Sequence, residues 1–146
     1  MWKDICTDDQ LHLFLNRFRF FHDSCLKELK YQSGAYVNSD LSMYPINNCR
    51  TLSVIIQRQD AEIPMVELQF EGLKYLNLFP VDESFTCEIL ASTMFFKDGL
   101  VYWCDHRDFP EIKLEQLEGI VVCASGLRWR VIDNHMGATD FYHSLV

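Results

Sequence analysis

FTCEILASTMFFKDGLVYWC, residues 85–104, sets an Asp98-Gly99 pair between two runs rich in apolar and aromatic residues. Asp-Gly between such runs is a strong short-range hairpin signal, because both turn residues tolerate positive φ. The stretch therefore predicts a long strand over 85–96, a turn at Lys97-Asp98-Gly99 and a return strand over 100–104. Upstream, 51–58 is rich in β-branched residues, and Val66, Leu68 and Phe70 alternate with Glu67 and Gln69. Both patterns read as strands, the second with one wet face. Residues 73–79 read as a further short strand. Downstream, 120–124 and the set Leu127, Trp129 and Val131 read as a second hairpin turning at Ser125-Gly126.

Toward the N-terminus the period changes from two to 3.6. Thr7-Asp8-Asp9-Gln10 has the form of a capping box with acidic residues at the positive helix end. Leu11, Phe14, Leu15, Phe18 and Phe21 or His22 then follow at helical spacing. This predicts an amphipathic helix of about four turns. After Asp23-Ser24, alternation through Leu29, Tyr31, Ser33, Ala35 and Val37 predicts a strand, and 38–48 a loop. Residues 105–118 allow a loop or a short helix over 112–117. The expected fold is a single α+β domain over 1–146, mainly β. Its core is an antiparallel sheet or β-sandwich of about seven or eight strands with the helix at its N-terminus.

The 146 residues are 49% hydrophobic and 14% aromatic, enough for one sizeable core without a metal or disulfide staple. Thirteen Lys and Arg stand against 21 Asp and Glu, a formal charge of −8. That excess repels phosphate backbones, and no basic patch offsets it, so no nucleic-acid partner is expected. The acids concentrate in 60–118. This reads as a solvated surface, or as a field steering a basic protein partner. No stretch has the length of a membrane span, and the first residues contain no apolar signal core. A cytoplasmic location is the expectation, with no membrane partner. Cys6, Cys25, Cys49, Cys87, Cys104 and Cys123 form no CxxC pair and read as reduced thiols.

Three sets of residues could carry chemistry. His22-Asp23 and Asp105-His106, with Asp108 nearby, would form a hard-metal site for a hydrolase if they converged. Read locally, His22 continues the apolar helix face, and Asp23-Ser24 is a turn. Cys104 and His106, two apart on a strand, share a face and could meet; Cys25 lies three residues after His22. A nucleophile also needs an orienting group and an oxyanion site, and neither is recognisable. No catalytic residue is therefore assigned. Phosphate-binding, zinc-protease, hydrolase and calcium motifs are absent, and no cofactor is expected. Tyr102, Trp103, Trp129 and Tyr142 could form an aromatic interaction surface.

Phe21-His22-Asp23-Ser24, then Leu26 and Leu29, then Glu67-Leu68-Gln69-Phe70-Glu71-Gly72-Leu73, resembles a set of small bacterial domains of unknown function. The likeness spans about residues 20–105. Some of those domains are described as immunity-protein-like, neutralising toxins delivered between competing bacteria. The resemblance implies a non-enzymatic protein-binding domain and carries over no catalytic residue. In that reading Asp82, Glu83, Asp108 and Glu111 meet a basic partner and Trp103 anchors the centre. A small-ligand binder, with a pocket between sheet and helix, is the remaining alternative.

Overall fold

The computed structural model describes residues 1–107, 113–114, 117–133 and 135–142. Thr7 caps the helix as its sequence dictates: its Oγ1 accepts the Gln10 amide at 3.2 Å, and Gln10 Oε1 accepts the Cys6 amide at 2.7 Å. Helix α1 runs Asp8–Arg17, shorter than the expected four turns. The apolar spacing continues to Phe21, but the backbone does not. Arg19, Phe20 and Phe21 have φ of 49°, 54° and 59°, a turn of left-handed chain. Such a conformation costs about 1–2 kcal/mol per L-residue. It is held by Phe21, buried beside Phe18 with their rings stacked at 5.7 Å, and by the Ser92 amide donating to Phe20 O at 2.7 Å. The buried Arg58 donates to Phe18 O, Ile63 O and Asp60, closing the helix end from the sheet side.

The strands are β1 (Lys3–Ile5), β2 (Ser24–Gln32), β3 (Tyr36–Val37), β4 (Met43–Tyr44), β5 (Thr51–Arg58), β6 (Met65–Leu78), β7 (Thr93–Lys97), β8 (Leu100–Cys104) and β9 (Ile120–Val131). Seven form one antiparallel sheet in the order β2-β5-β6-β9-β8-β7, with β1 also on β9; β3 and β4 form a separate pair. The far edge of β9 is shared, Val121–Ala124 to β8 and Leu127–Trp129 to β1. The α+β, mainly antiparallel fold is as expected. The Asp98-Gly99 turn between β7 and β8 also stands, with φ of 51° and 75°.

Four boundaries differ. The two strands expected at 66–70 and 73–79 are one, β6. The hairpin expected at Ser125-Gly126 is instead the continuous β9. The expectations fail for the same reason. In β6, Phe70 and Leu73 both face the core, and in β9 so do Ala124 and Leu127. Period-two alternation breaks there, as it does at a chain reversal. The two strands instead bend together: Glu71 faces Gly126, Leu73 faces Ala124, and a bulge follows before Tyr75. Gly72, at φ +60°, supplies the conformation, and a Cβ on it would lie 2.8 Å from Ser125 Oγ. The third change is at 85–96, where only Thr93 onward is strand; Ile89 touches β2 through an isolated bridge to Ser24. The fourth is the strand expected through Val37, which ends at Gln32, because Gly34 at φ +99° turns the chain away. The alternative helix at 112–117 lies partly outside the described residues, although Leu114 and Leu117 pack on Cys104 and Val121.

One face of the sheet carries the main core, joining Leu11, Phe14, Leu15, Phe18 and Phe21 to the inward residues of β5, β6, β8 and β9. Trp129 is its aromatic hub, with ring centroids 5.4 Å from Phe14 and 5.1 Å from Phe18. Burying such side chains contributes about 1.5–3 kcal/mol each. On the other face, Ile55, Met65, Ile132 and Phe141 form a smaller cluster.

Candidate functional site

The residues expected to carry chemistry stand as two separate pairs. His22 Nδ1 meets Asp23 Oδ2 at 2.9 Å, both side chains half-exposed at the turn into β2. His106 Nδ1 meets Asp105 Oδ1 at 2.9 Å, after β8. Asp105 Oδ1 also accepts the Ile120 amide at 3.0 Å, which fixes the carboxylate against β9. Gly119 is required there, since a Cβ would lie 2.7 Å from Asp105 Oδ1 and 2.8 Å from His106 Cε1. Among the described residues no group of three or more His, Cys, Asp or Glu is placed to hold a metal. The convergence on which the hydrolase expectation depended is not formed. Asp108 lies outside the described residues.

The thiols of Cys104 and Cys25 are both shifted away from the reactive thiolate. Cys104 is buried, and its Sγ lies 3.5 Å from the backbone carbonyl of His106. Burial pushes its thiol up, away from the reactive thiolate. Cys25 is raised by burial and by neighbouring Cys87. It lines an open cavity of about 480 Å³ with Asp23, Arg58 and Glu88.

Trp103 cannot anchor a partner. It is fully buried, stacked on Phe70 at 6.2 Å, because β8 turns that side of its alternation into the main core. Trp129 is buried as well, and Tyr102 stacks on Phe95 at 5.1 Å. Asp82 and Glu83 are exposed in the segment after β6, among exposed Phe79, Val81 and Phe85. Glu111 lies outside the described residues. The acidic excess of 60–118 is partly answered inside the fold. Asp60 meets Arg58 at 3.3 Å, Glu71 meets Arg128 at 3.2 Å and Glu67 meets Arg130 at 2.6 Å, every arginine lying outside that window. Strand register, not composition, decides which acids remain to face a partner.

A further exposed apolar surface lies where a loop is expected. Between Gln32 and Thr51 the chain leaves the sheet as an arm containing β3 and β4. Its base is closed by the Cys49 amide on Ser33 O at 2.9 Å and by the Tyr31 hydroxyl on Asn47 at 3.1 Å. Its tip is braced by Asn38 and Ser42, with Asp40 Oδ1 accepting the Ser42 amide at 2.9 Å. The Ser42 hydroxyl, donating to Asp40 Oδ1 at 2.6 Å, and then the Ser42 amide hold the Asp40 carboxyl below its ordinary range. The arm displays Tyr36, Val37, Leu41, Met43, Tyr44 and Ile46, with Leu41 82% and Met43 66% exposed. Tyr36 and Tyr44 stack at 5.1 Å, and Tyr36 with Val37 and Met43 walls a concavity of about 550 Å³ against Tyr31. Composition pointed to a loop here through its Asn, Asp, Ser and Pro. The overlooked signal was the apolar content carried between those turn residues.

No helix among the described residues is long and apolar enough to cross a membrane. Comparison with protein-family models, with curated proteins and with solved structures finds no match to this chain.

Proposed function

We propose that the protein is a non-enzymatic binding domain that docks a protein partner through the arm, acting in the manner of the immunity-type domains that its His22-Asp23-Ser24 junction resembles. The observation that carries this reading is the set of six large apolar side chains held in water by a hairpin with its own hydrogen-bond bracing. Contiguous apolar surface of this kind is the usual mark of a protein interface. A braced arm loses little conformational freedom on binding, so burial of its side chains converts efficiently into affinity. Tyr36 and Tyr44 are the residue type that dominates interface energetics. The partner offers an apolar cleft flanked by basic groups. The exposed Asp82 and Glu83 add negative charge that favours encounter with such a surface. The action is occlusion, in which the arm covers the partner's working surface and no bond is made or broken.

Photo-crosslinking tests this directly. A photoreactive side chain at position 43 should trap a defined partner in source-cell lysate. The same group at position 13, exposed on α1, should not. Tyr36→Ser combined with Met43→Ser should abolish the crosslinked complex while leaving the unfolding midpoint within about 0.5 kcal/mol, as expected for surface substitutions. Equal crosslinking from both positions, or from neither, would count against the arm as the interface.

A further inference from the structure

We propose that Cys25 and Cys87 are a redox-active pair, joined reversibly when the chain meets a low-molecular-weight disulfide such as oxidised glutathione. Cys25 stands on β2, one residue after Ser24, and Cys87 lies two residues before Ile89 in the segment between β6 and β7. Ser24 and Ile89 form an isolated antiparallel bridge, with the Ile89 amide donating to Ser24 O at 2.7 Å. A hydrogen-bonded antiparallel pair of this kind holds its Cα atoms about 5.5 Å apart. The bridge therefore brings two thiols that are distant in sequence to one short stretch of the surface. Ser24 and Ile89 are each 3% exposed, so the bridge itself is anchored in the core.

Regular alternation would turn Cys87 inward with Ile89, two residues on. Cys87 is exposed instead, as is Glu88, so the chain leaves strand geometry ahead of the bridge and carries the Cys87 thiol to solvent. Cys25 is half-buried and lines an open cavity of about 480 Å³ together with Glu88. The two thiols also feel each other. Burial raises the Cys25 thiol first, and Cys87 raises it further, ahead of the opposing effect of Lys27. Such an effect falls with distance, which makes Cys87 a near neighbour. Cys104, also raised by burial, responds otherwise to His106, Thr93 and Asp105. Because Ile89 makes a single bridge and not a ladder, a small shift of 86–88 closes the pair without breaking the sheet.

The exposed Cys87 thiolate attacks one sulfur of oxidised glutathione, forming a mixed disulfide and expelling a glutathione thiolate. Cys25 then gives up its proton and attacks the Cys87 sulfur. The Cys25–Cys87 bond forms, and the second glutathione thiolate leaves. Two electrons pass from the protein to the reagent, and the two cysteine protons end on two molecules of glutathione. Burial of Cys25 makes this second step the slower one. The bond staples the segment that carries Asp82, Glu83 and Phe85 to the start of β2, and it makes no use of the arm.

The test incubates the whole reduced chain with oxidised glutathione, alkylates the remaining thiols and maps the peptides by mass spectrometry without reduction. A Cys25–Cys87 cross-linked peptide should form, and dithiothreitol should dissolve it. Cys6 and Cys49, exposed but outside the pair, should stop at glutathione adducts. Cys25→Ser should leave glutathione on Cys87, and Cys87→Ser should yield no cross-link at Cys25. The oxidised chain should unfold at a higher denaturant midpoint than the reduced chain, because the bond closes a long loop. Reduced Cys87→Ser, changed at an exposed position, should keep the midpoint of the parent, which separates a lost cross-link from a lost fold. A glutathione adduct that persists on Cys87 of the parent as it does in Cys25→Ser overturns the pair. Preferential joining of either thiol to another cysteine, or a cross-link formed only in denaturant, overturns it too. So does an oxidised chain less stable than the reduced one. The arm variant should oxidise normally, so this result and the fate of the arm are separately readable.

Discussion

Tyr142 donates its hydroxyl to Glu67 Oε1 at 3.2 Å, closing the C-terminal segment onto the face of the sheet opposite α1. Glu67 stands between Val66 and Leu68, which face the main core, so strand alternation turns it to the far side. There it is buried, and its second oxygen takes Arg130 Nε at 2.6 Å. Glu28 completes the arrangement by accepting the amides of Phe141 and Tyr142 at 2.6 and 3.0 Å. Two carboxylates from β2 and β6 thus bind the end of the chain to the sheet.

The Tyr142 phenol is held well above its ordinary value of 10.0, first by burial and then by the Glu67 carboxylate. The folded state therefore keeps this proton at pH values where the unfolded chain releases it. The resulting stability is complete below the ordinary tyrosine value and is lost progressively above it, as pH rises toward the raised folded value. Denaturant midpoints measured from pH 8 to 11 should fall with rising pH in the native protein. In Tyr142→Phe that alkaline decline should be shallower. An unchanged slope in the variant would show that Tyr142 ionises normally in the fold.

Gly72 should tolerate no side chain. Gly72→Ala places a Cβ 2.8 Å from Ser125 Oγ at a φ of +60°. A loss of about 1–3 kcal/mol is expected, readable as a lower urea midpoint. Ser125→Gly in the same chain removes the collision but not the backbone strain, so it should restore only part of the loss. Full recovery would mean that the bend itself is unstrained by alanine.

The thiols should divide by burial. Cys6, Cys49 and Cys87 are exposed, while Cys104 and Cys123 are buried. A disulfide-exchange reagent should label the first three rapidly in the native state. Cys104 and Cys123 should react only after unfolding, because the reactive thiolate is inaccessible and, at Cys104, disfavoured by burial. Rapid native labelling of five thiols would contradict the packing of β8 against β9.

Local chemistry was legible wherever the signal lay within a few residues. The Thr7 cap, the Asp98-Gly99 turn and the bounds of β5 and β8 needed only propensity and period. The sequence reading failed where two strands impose a shape on each other. At 70–73 and 124–127 the pattern of a paired bend is indistinguishable, one strand at a time, from a turn. At 18–21 the apolar spacing still reads as helix, while burial of Phe21 against Phe18 and the Phe20–Ser92 hydrogen bond drive the backbone left-handed. His22 and Asp23 were visible as a pair. Arg19, His12 and Ser92, which share a cavity with His22, were not, since 70 residues of chain separate His22 from Ser92.

The amino-acid sequence by itself determined the class of the fold: one amphipathic helix, then strands that alternate and turn at Asp-Gly, because period and turn chemistry are properties of neighbouring residues. It also determined the acidic balance. Tertiary structure alone decided which acids are neutralised, because Glu67 and Glu71 meet Arg130 and Arg128 only through the register of β6 with β9. It alone buried Trp103 and left the arm in water. Burial depends on what the opposite element brings, and that is a property of the assembled sheet.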